Sequence, residues 1–332
     1  MVETCQKTVV VGAGAWGTTI SVLLAERGHK VTLWAFEKDL VETIRETREN
    51  KMFLPGFQLP ESIEVTNSLE CTRQADLVFV VVPTQFLGGV AAALKGVINP
   101  DAIVVTASKG LDIKTLKLPQ ETLADELKAK KMVVLSGPNL SAEISRGLPA
   151  ATVAASKDEK LARIVQEALN QDRFRVYING DPLGTQLGAA LKNIIAITAG
   201  IVDGLELGIN ARSALIIRAE AEITRLGVAM GAERATFAGL SGMGDLIATC
   251  SSTKSRNHRV GEQLAAGKTV KEILGKMTAV AEGVETTKAA VELGKKYKVE
   301  LPIISEAYKV MYEDKNAYQA ITDLMTRTPK VE

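Results

Sequence analysis

The chain has 332 residues, 46% of them apolar and 24% charged, with a formal net charge of +1. That length suits about two domains, and that apolar share supports folded cores rather than disorder. A near-neutral balance excludes a broad electrostatic attraction to nucleic acid or to an anionic membrane surface. The three cysteines, Cys5, Cys71 and Cys250, lie far apart without paired spacing. They predict neither a disulfide framework nor a zinc site, and suit a reducing compartment. Met1 to Lys7 carries an acid and no apolar core, so no signal peptide is expected. The uncharged run Ile194–Val202 is too short to span a bilayer. A cytoplasmic protein without membrane insertion is the expectation.

The first half alternates short β-branched runs with helical stretches. Thr8–Val11, Lys30–Trp34, Leu77–Val82, Ile103–Thr106, Val133–Ser136, Thr152–Ala155 and Phe174–Tyr177 read as strands. Between them, Thr18–Arg27, Leu40–Glu49, Phe86–Leu94 and Gln120–Lys130 have helical length and apolar periodicity. Such alternation predicts an α/β fold with a doubly wound, mostly parallel Rossmann-type sheet. After the turn formers Asn179-Gly180-Asp181-Pro182 the pattern becomes Ala- and Leu-rich. Gln186–Val202, Ala211–Met230, Asn257–Ala266, Val284–Tyr297 and Pro302–Tyr312 read as helices, the second capped by Asn210 and stopped by Gly231. The domain boundary is expected near residue 181, with a dinucleotide-binding domain over 1–181 and an all-helical domain over 182–332.

Gly12-Ala13-Gly14-Ala15-Trp16-Gly17 directly follows the first strand and opens the first helix. Glycines there permit a tight turn and close approach of backbone to a pyrophosphate, which the helix N-terminus then attracts. At the end of the second strand stand Trp34-Ala35-Phe36-Glu37. An acid at that point holds ribose hydroxyls and an arginine favours a 2′-phosphate. Neither rule applies cleanly; the absence of arginine leans towards NAD over NADP. Phe36 reads either as a stacking surface for adenine or as core.

Reducing a carbonyl by hydride creates an alkoxide that must be protonated as it forms. Both histidines, His29 and His258, lack an evident carboxylate to orient them. Lys192, in the apolar stretch Gly188–Ala196, is the better candidate, although a snorkelling surface lysine has the same pattern. Asp245 is the only acid in the glycine-rich stretch Leu240–Cys250, and reads as a specific polar contact or a helix cap. The turn from Ser251 to Asn257, containing Ser255 and Arg256, suits a phosphate cradle as well as plain capping.

In order along the chain stand Gly-x-Gly-x-Trp-Gly (Gly12–Gly17), Val-Pro-x-Gln-Phe (Val82–Phe86), Lys109-Gly110 and Gly-Pro-Asn (Gly137–Asn139). Ala-Leu-Lys-Asn (Ala190–Asn193), Gly-x-Gly-Asp-Leu (Gly242–Leu246), Ser-Arg-Asn (Ser255–Asn257) and Ala281–Thr286 follow. Together these segments resemble the NAD(P)-dependent glycerol-3-phosphate dehydrogenase family over nearly the whole chain. The resemblance implies an oxidoreductase acting on dihydroxyacetone phosphate and glycerol 3-phosphate, supplying phospholipid synthesis, with a homodimer as the family habit. It implies Lys192 as proton donor and acceptor. Lys109, Gly137, Asn139, Asn193, Asp245, Thr249, Ser255, Arg256 and Asn257 would contact substrate. Gly12, Gly14, Ala15, Trp16, Gly17, Phe36, Phe86, Lys109, Ser141, Arg256, Val280 and Glu282 would contact the cofactor. Ser141 departs from the family's usual alanine, Asn139 from the Ser or Thr of many bacterial members, and Ala35-Phe36 from the arginine of many NADPH users. Two other readings are a dehydrogenase related to the β-hydroxyacid and 6-phosphogluconate enzymes, and a non-catalytic nicotinamide sensor.

Overall fold

The computed structural model describes residues 6–252, 255–277 and 281–329. The chain forms two units, the first comprising residues up to Ser108 together with Pro119–Pro182, the second Lys109–Leu118 together with Leu183 onward. The expected contiguous first domain is thus interrupted: Leu111 and Leu118 bury their side chains in the core of the second unit.

The first unit is built on eight strands: β1 Lys7–Val11, β2 Lys30–Trp34, β3 Glu64–Thr66, β4 Leu77–Val80, β5 Ile103–Thr106, β6 Met132–Ser136, β7 Ala150–Ala155 and β8 Phe174–Asn179. They lie in one sheet in the order β3-β2-β1-β4-β5-β6-β7-β8. Every adjacent pair is parallel except β6 and β7, which are antiparallel. Central strands such as Leu77-Val78-Phe79-Val80 are buried on both faces, which is why they read as unbroken apolar runs. Helices α1 Ala15–Glu26, α2 Lys38–Thr47, α3 Thr84–Leu94, α4 Pro119–Leu127, the short α5 Ser141–Ile144 and α6 Glu159–Leu169 connect them. Chain order reverses at β1, whose neighbours are β2 and β4. In open sheets of this kind ligands bind outside the strands' carboxyl ends at such a reversal. The glycine turn sits there.

Among the described residues after Asn179 there is no strand. The helices are α7 Pro182–Gly204, α8 Gly208–Ala229, α9 Arg234–Phe237, α10 Asp245–Ser251, α11 Arg256–Ala265, α12 Val270–Leu274, α13 Glu282–Tyr297, α14 Pro302–Tyr312 and α15 Ala317–Met325. At 23 residues α7 is long and apolar enough to cross a membrane, but 89% of its most apolar window is buried inside the fold. It is the central helix of this unit, with Leu187, Leu191, Ile194 and Ile197 fully buried. Helix α8 begins before the expected cap: Leu207 stands at the cap position without a side-chain bond, so Asn210 lies inside the helix. Gly231 beyond its end has φ +98°, a left-handed conformation that suits the expected stop.

Helices α7 and α11 cross with their backbones in contact. A Cβ on Gly200 would lie 2.0 Å from the His258 carbonyl oxygen, and one on Gly261 would lie 1.9 Å from that of Ile197. This crossing fixes the start of α11, with Arg256 and Asn257, against the helix that carries Lys192.

Candidate active site

At the end of β1 the Gly12 N–H donates to the Trp34 carbonyl (3.0 Å). Gly12 has φ +117°, and a Cβ there would meet the Val81 carbonyl oxygen at 2.5 Å, so both conformation and space demand glycine. Gly14 occupies the cap position of α1 with no side-chain cap, and the first turn holds no acid. Nothing lies within 4 Å of where a Gly14 Cβ would project. With no side chain capping the helix start and no acid in its first turn, its leading amides suit a phosphate group. Gly17 and Ala15 complete that first turn.

Phe36, just past β2, is 76% exposed and Phe86, on α3, is 60% exposed. The core reading of Phe36 is thereby excluded, and the two rings suit a planar ligand. Trp16 differs: its ring packs against Phe174 (centroids 6.3 Å apart) and faces the core, leaving its backbone at the helix start. Gly137 is buried against Thr152 of β7. Asn139 accepts from the Thr152 hydroxyl (3.0 Å) and donates to the Ala151 carbonyl (3.3 Å). Ser141 opens α5. Val280 lies outside the described residues.

In the second unit Lys192 is 7% exposed, so the surface-lysine reading fails. Its ammonium donates to Asp245 Oδ1 (2.5 Å) and to the Thr249 hydroxyl (2.6 Å). Lys109 donates to the other oxygen of Asp245 (2.7 Å). Asp245 is the first residue of α10 and buried, but its carboxylate is engaged by two ammonium groups rather than by capping. Thr249, one turn on, donates to the Asp245 carbonyl (2.7 Å), which aims its lone pairs at Lys192. Burial pushes the Lys192 ammonium down to about 8; Asp245 opposes and the charge of Lys109 assists. A lysine tuned in this way can give and take a proton near neutral pH.

Arg256 is exposed on the first turn of α11. Ser255 caps that helix, accepting from the His258 N–H (3.3 Å). Asn257 is buried and accepts from the Gly283 N–H (3.1 Å), tying α11 to the start of α13. Gly283 also lies against the backbone of Asn193, where a Cβ would come within 2.5 Å of the Asn193 carbonyl oxygen. Glu282, beside it, has its carboxyl pushed up to about 7 by burial, against the pull of Arg256, Lys109 and Lys192. Arg256, Lys109 and Lys192 thus all act on Glu282, but burial outweighs their pull. The structure therefore brings Lys109, Lys192, Asn193, Asp245, Thr249, Ser255, Arg256, Asn257 and Glu282 into one helical unit, while in the first unit the glycine turn follows β1, Phe36 follows β2, Phe86 lies on α3, and Gly137, Asn139 and Ser141 follow β6.

One expectation is corrected. His258 does have a carboxylate: its Nε2 is 2.9 Å from Asp203 Oδ2, which also holds Arg212 at 3.1 Å. Asp203 lies 55 residues earlier in the chain, so no local pattern announced it. Among the described residues no group of three or more His, Cys, Asp or Glu is placed to hold a metal ion.

A glycine turn at the reversal point of a parallel sheet is how nicotinamide dinucleotides are held by their pyrophosphate. An ammonium drawn towards neutrality is what protonating a nascent alkoxide needs. Nicotinamide-dependent oxidoreductases are the class that joins these two features. Comparison with known proteins narrows the class. Family models for the N-terminus and C-terminus of NAD-dependent glycerol-3-phosphate dehydrogenase match residues 7–162 and 181–322. The glycerol-3-phosphate dehydrogenase (NAD(P)+) of Citrifermentans bemidjiense is 49% identical, covering 98% of this chain and 99% of its own. That of Geobacter sulfurreducens is 48% identical over 97% and 98%. The crystal structure of glycerol-3-phosphate dehydrogenase from Coxiella burnetii superposes with TM-score 0.92 at 35% identity, covering 96% of this chain and 98% of that one. This chain belongs to the NAD-dependent glycerol-3-phosphate dehydrogenase family.

Proposed function

We propose that the protein interconverts dihydroxyacetone phosphate and sn-glycerol 3-phosphate with a nicotinamide cofactor. The observation that carries this reading is the buried Lys192 ammonium, held by Asp245 and Thr249. The bound nicotinamide supplies or accepts the hydride at C2. Lys192 protonates the C2 oxygen in the reductive direction and deprotonates the hydroxyl in the other. Asp245 holds that ammonium in place and keeps it from discharging too early, while Lys109 adds positive charge near the developing alkoxide. Arg256, with Ser255 and Asn257 at the start of α11, holds the substrate phosphate. Anchoring the phosphate restricts the substrate's motion and lowers the entropic part of the barrier. Gly137 and Asn139 are further substrate contacts. The glycine turn, Phe36, Phe86, Ser141, Val280 and Glu282 contact the dinucleotide.

NADH is the preferred cofactor in this reading, since Ala35-Phe36-Glu37 offers no cation to a 2′-phosphate. The enzyme works in the cytoplasm as a homodimer and supplies glycerol 3-phosphate for phospholipid synthesis. Steady-state kinetics with NADH and NADPH in parallel, against dihydroxyacetone phosphate, dihydroxyacetone and a 2-oxo acid, tests the proposal. Turnover of the phosphorylated ketone with NADH preferred is expected. Preference for the carboxylated substrate would assign the chain to the hydroxyacid dehydrogenases, and binding without turnover would make it a sensor.

A further inference from the structure

Asn50 follows α2 in a stretch without any motif, yet it is completely buried. Its amide nitrogen donates to the Ala13 carbonyl (2.7 Å) and to the Thr18 hydroxyl (2.8 Å). Its oxygen accepts from the Phe53 N–H (3.1 Å). The Thr18 hydroxyl itself approaches the Ala13 carbonyl at 3.4 Å. An asparagine thus reaches across 37 residues to grip one carbonyl inside the glycine turn.

We infer that Asn50 is a positioning residue for dinucleotide binding, which orients the Ala13–Gly14 peptide for the pyrophosphate. That peptide is trans, as all described peptides are, so its C=O and N–H point in opposite directions. Holding the Ala13 oxygen towards buried Asn50 turns the Gly14 N–H of the same peptide the opposite way, away from Asn50. Glycines flank this alanine on both sides, so little in the local chain prevents the peptide from rotating. A rotated peptide would aim a carbonyl oxygen at the phosphate and repel it. Asn50 removes that alternative before the ligand arrives, and the ordering is then not charged to binding. Thr18, on the first turn of α1, is the second support.

This inference rests on the reading of Gly12–Gly17 as the pyrophosphate site. Its test uses the full-length enzyme, with NADH binding followed by fluorescence and with ADP-ribose and adenosine as competitors. Asn50→Asp keeps the acceptor for Phe53 but sets an oxygen against the Ala13 carbonyl. The Kd of NADH and the Ki of ADP-ribose are expected to rise about tenfold, as for a lost buried hydrogen bond. The Ki of adenosine, which has no phosphate, should change less than about twofold, and the KM for NADH should rise far more than kcat falls. Thr18→Val, nearly isosteric, should weaken NADH and ADP-ribose about threefold and spare adenosine; it decides the matter if Asn50→Asp does not fold. A folded variant that binds NADH as tightly as wild type, or loses adenosine as much as ADP-ribose, overturns the role of Asn50. A wild-type enzyme for which ADP-ribose competes no better than adenosine overturns the pyrophosphate site itself, and this inference with it.

Discussion

Replacing Asp245 with asparagine preserves the shape of a buried side chain and removes the charge that both lysines share. The native carboxylate accepts from Lys192 at 2.5 Å and from Lys109 at 2.7 Å. Lys192 titrates at about 8 because burial and Lys109 together outweigh the attraction of Asp245. Without that attraction it falls further, by about one to three pH units for an opposite charge at contact distance. At about pH 7.5 a lysine titrating near 8 is about three-quarters protonated; the variant's would be roughly one-quarter to below a hundredth protonated. Reduction draws on the protonated form, so its rate is full below the folded pKa and lost as pH rises through it. The kcat/KM for dihydroxyacetone phosphate should therefore drop at least about threefold at that pH, and up to about two hundredfold. The assay is the pH profile of kcat/KM for ketone reduction in both proteins. Its alkaline limb should stand near about 8 in wild type and shift acidward in Asp245→Asn. A limb that stays put, or moves to higher pH, would refute the assignment of the proton donor.

Other outcomes follow from the same geometry. Arg256→Ala should raise the KM for dihydroxyacetone phosphate about ten- to a hundredfold, the worth of a charge-assisted phosphate contact. Dihydroxyacetone should be a poor substrate that the change barely affects; equal damage with both would make Arg256 structural. Ala35→Arg should raise kcat/KM for NADPH selectively, and a wild-type enzyme that already favours NADPH severalfold would contradict the proposed preference. Buried Glu222 accepts from the Ile303 and Ile304 amides that open α14, and burial pushes its carboxyl up from 4.5 to about 7 against those bonds. A raised folded pKa means that this stabilisation is full below about 4.5 and lost as pH rises through about 7. Relative to Glu222→Gln, wild type should lose up to about 3 kcal/mol of unfolding free energy across that window in urea titrations. Parallel pH dependences would show that Glu222 does not titrate there.

Much of this was legible in the chain, and the failures have physical causes. The buried strands announced themselves because both faces are apolar, whereas β3, Glu64-Val65-Thr66, has one buried residue and no period to read. Helix α6 falls outside the helices expected from the sequence, although Asp158 caps it, accepting from the Lys160 N–H at 2.9 Å. Helix α15 likewise carries a cap, Asn316, after a charged turn that obscured its start. Gly12–Gly17 was readable because its demands are local. Residue pattern alone left Lys192 and Asp245 undecided, since each has a bland equivalent on any helix. Only their contact across 53 residues separates the two readings. The same holds for Asp203 with His258, and for Asn50 with Ala13: a polar pair made by the fold leaves no mark on either partner's neighbourhood. The excursion of Lys109–Leu118 into the second unit also had no signature, because two buried leucines suit either core.

The central claim is that Lys192 delivers the proton at C2, and the rate of a single turnover of Lys192→Ala tests it most directly. The enzyme is mixed with NADH and dihydroxyacetone phosphate, with loss of NADH absorbance as the readout. Circular dichroism and NADH affinity establish that the variant is folded and binds cofactor. General acid catalysis contributes about 10²- to 10⁴-fold, so the hydride-transfer rate should fall by that order while the Kd of NADH stays within about twofold. A folded, NADH-binding Lys192→Ala enzyme that keeps more than about a tenth of the wild-type rate would contradict the account and move the proton donor to Lys109 or to an ordered water.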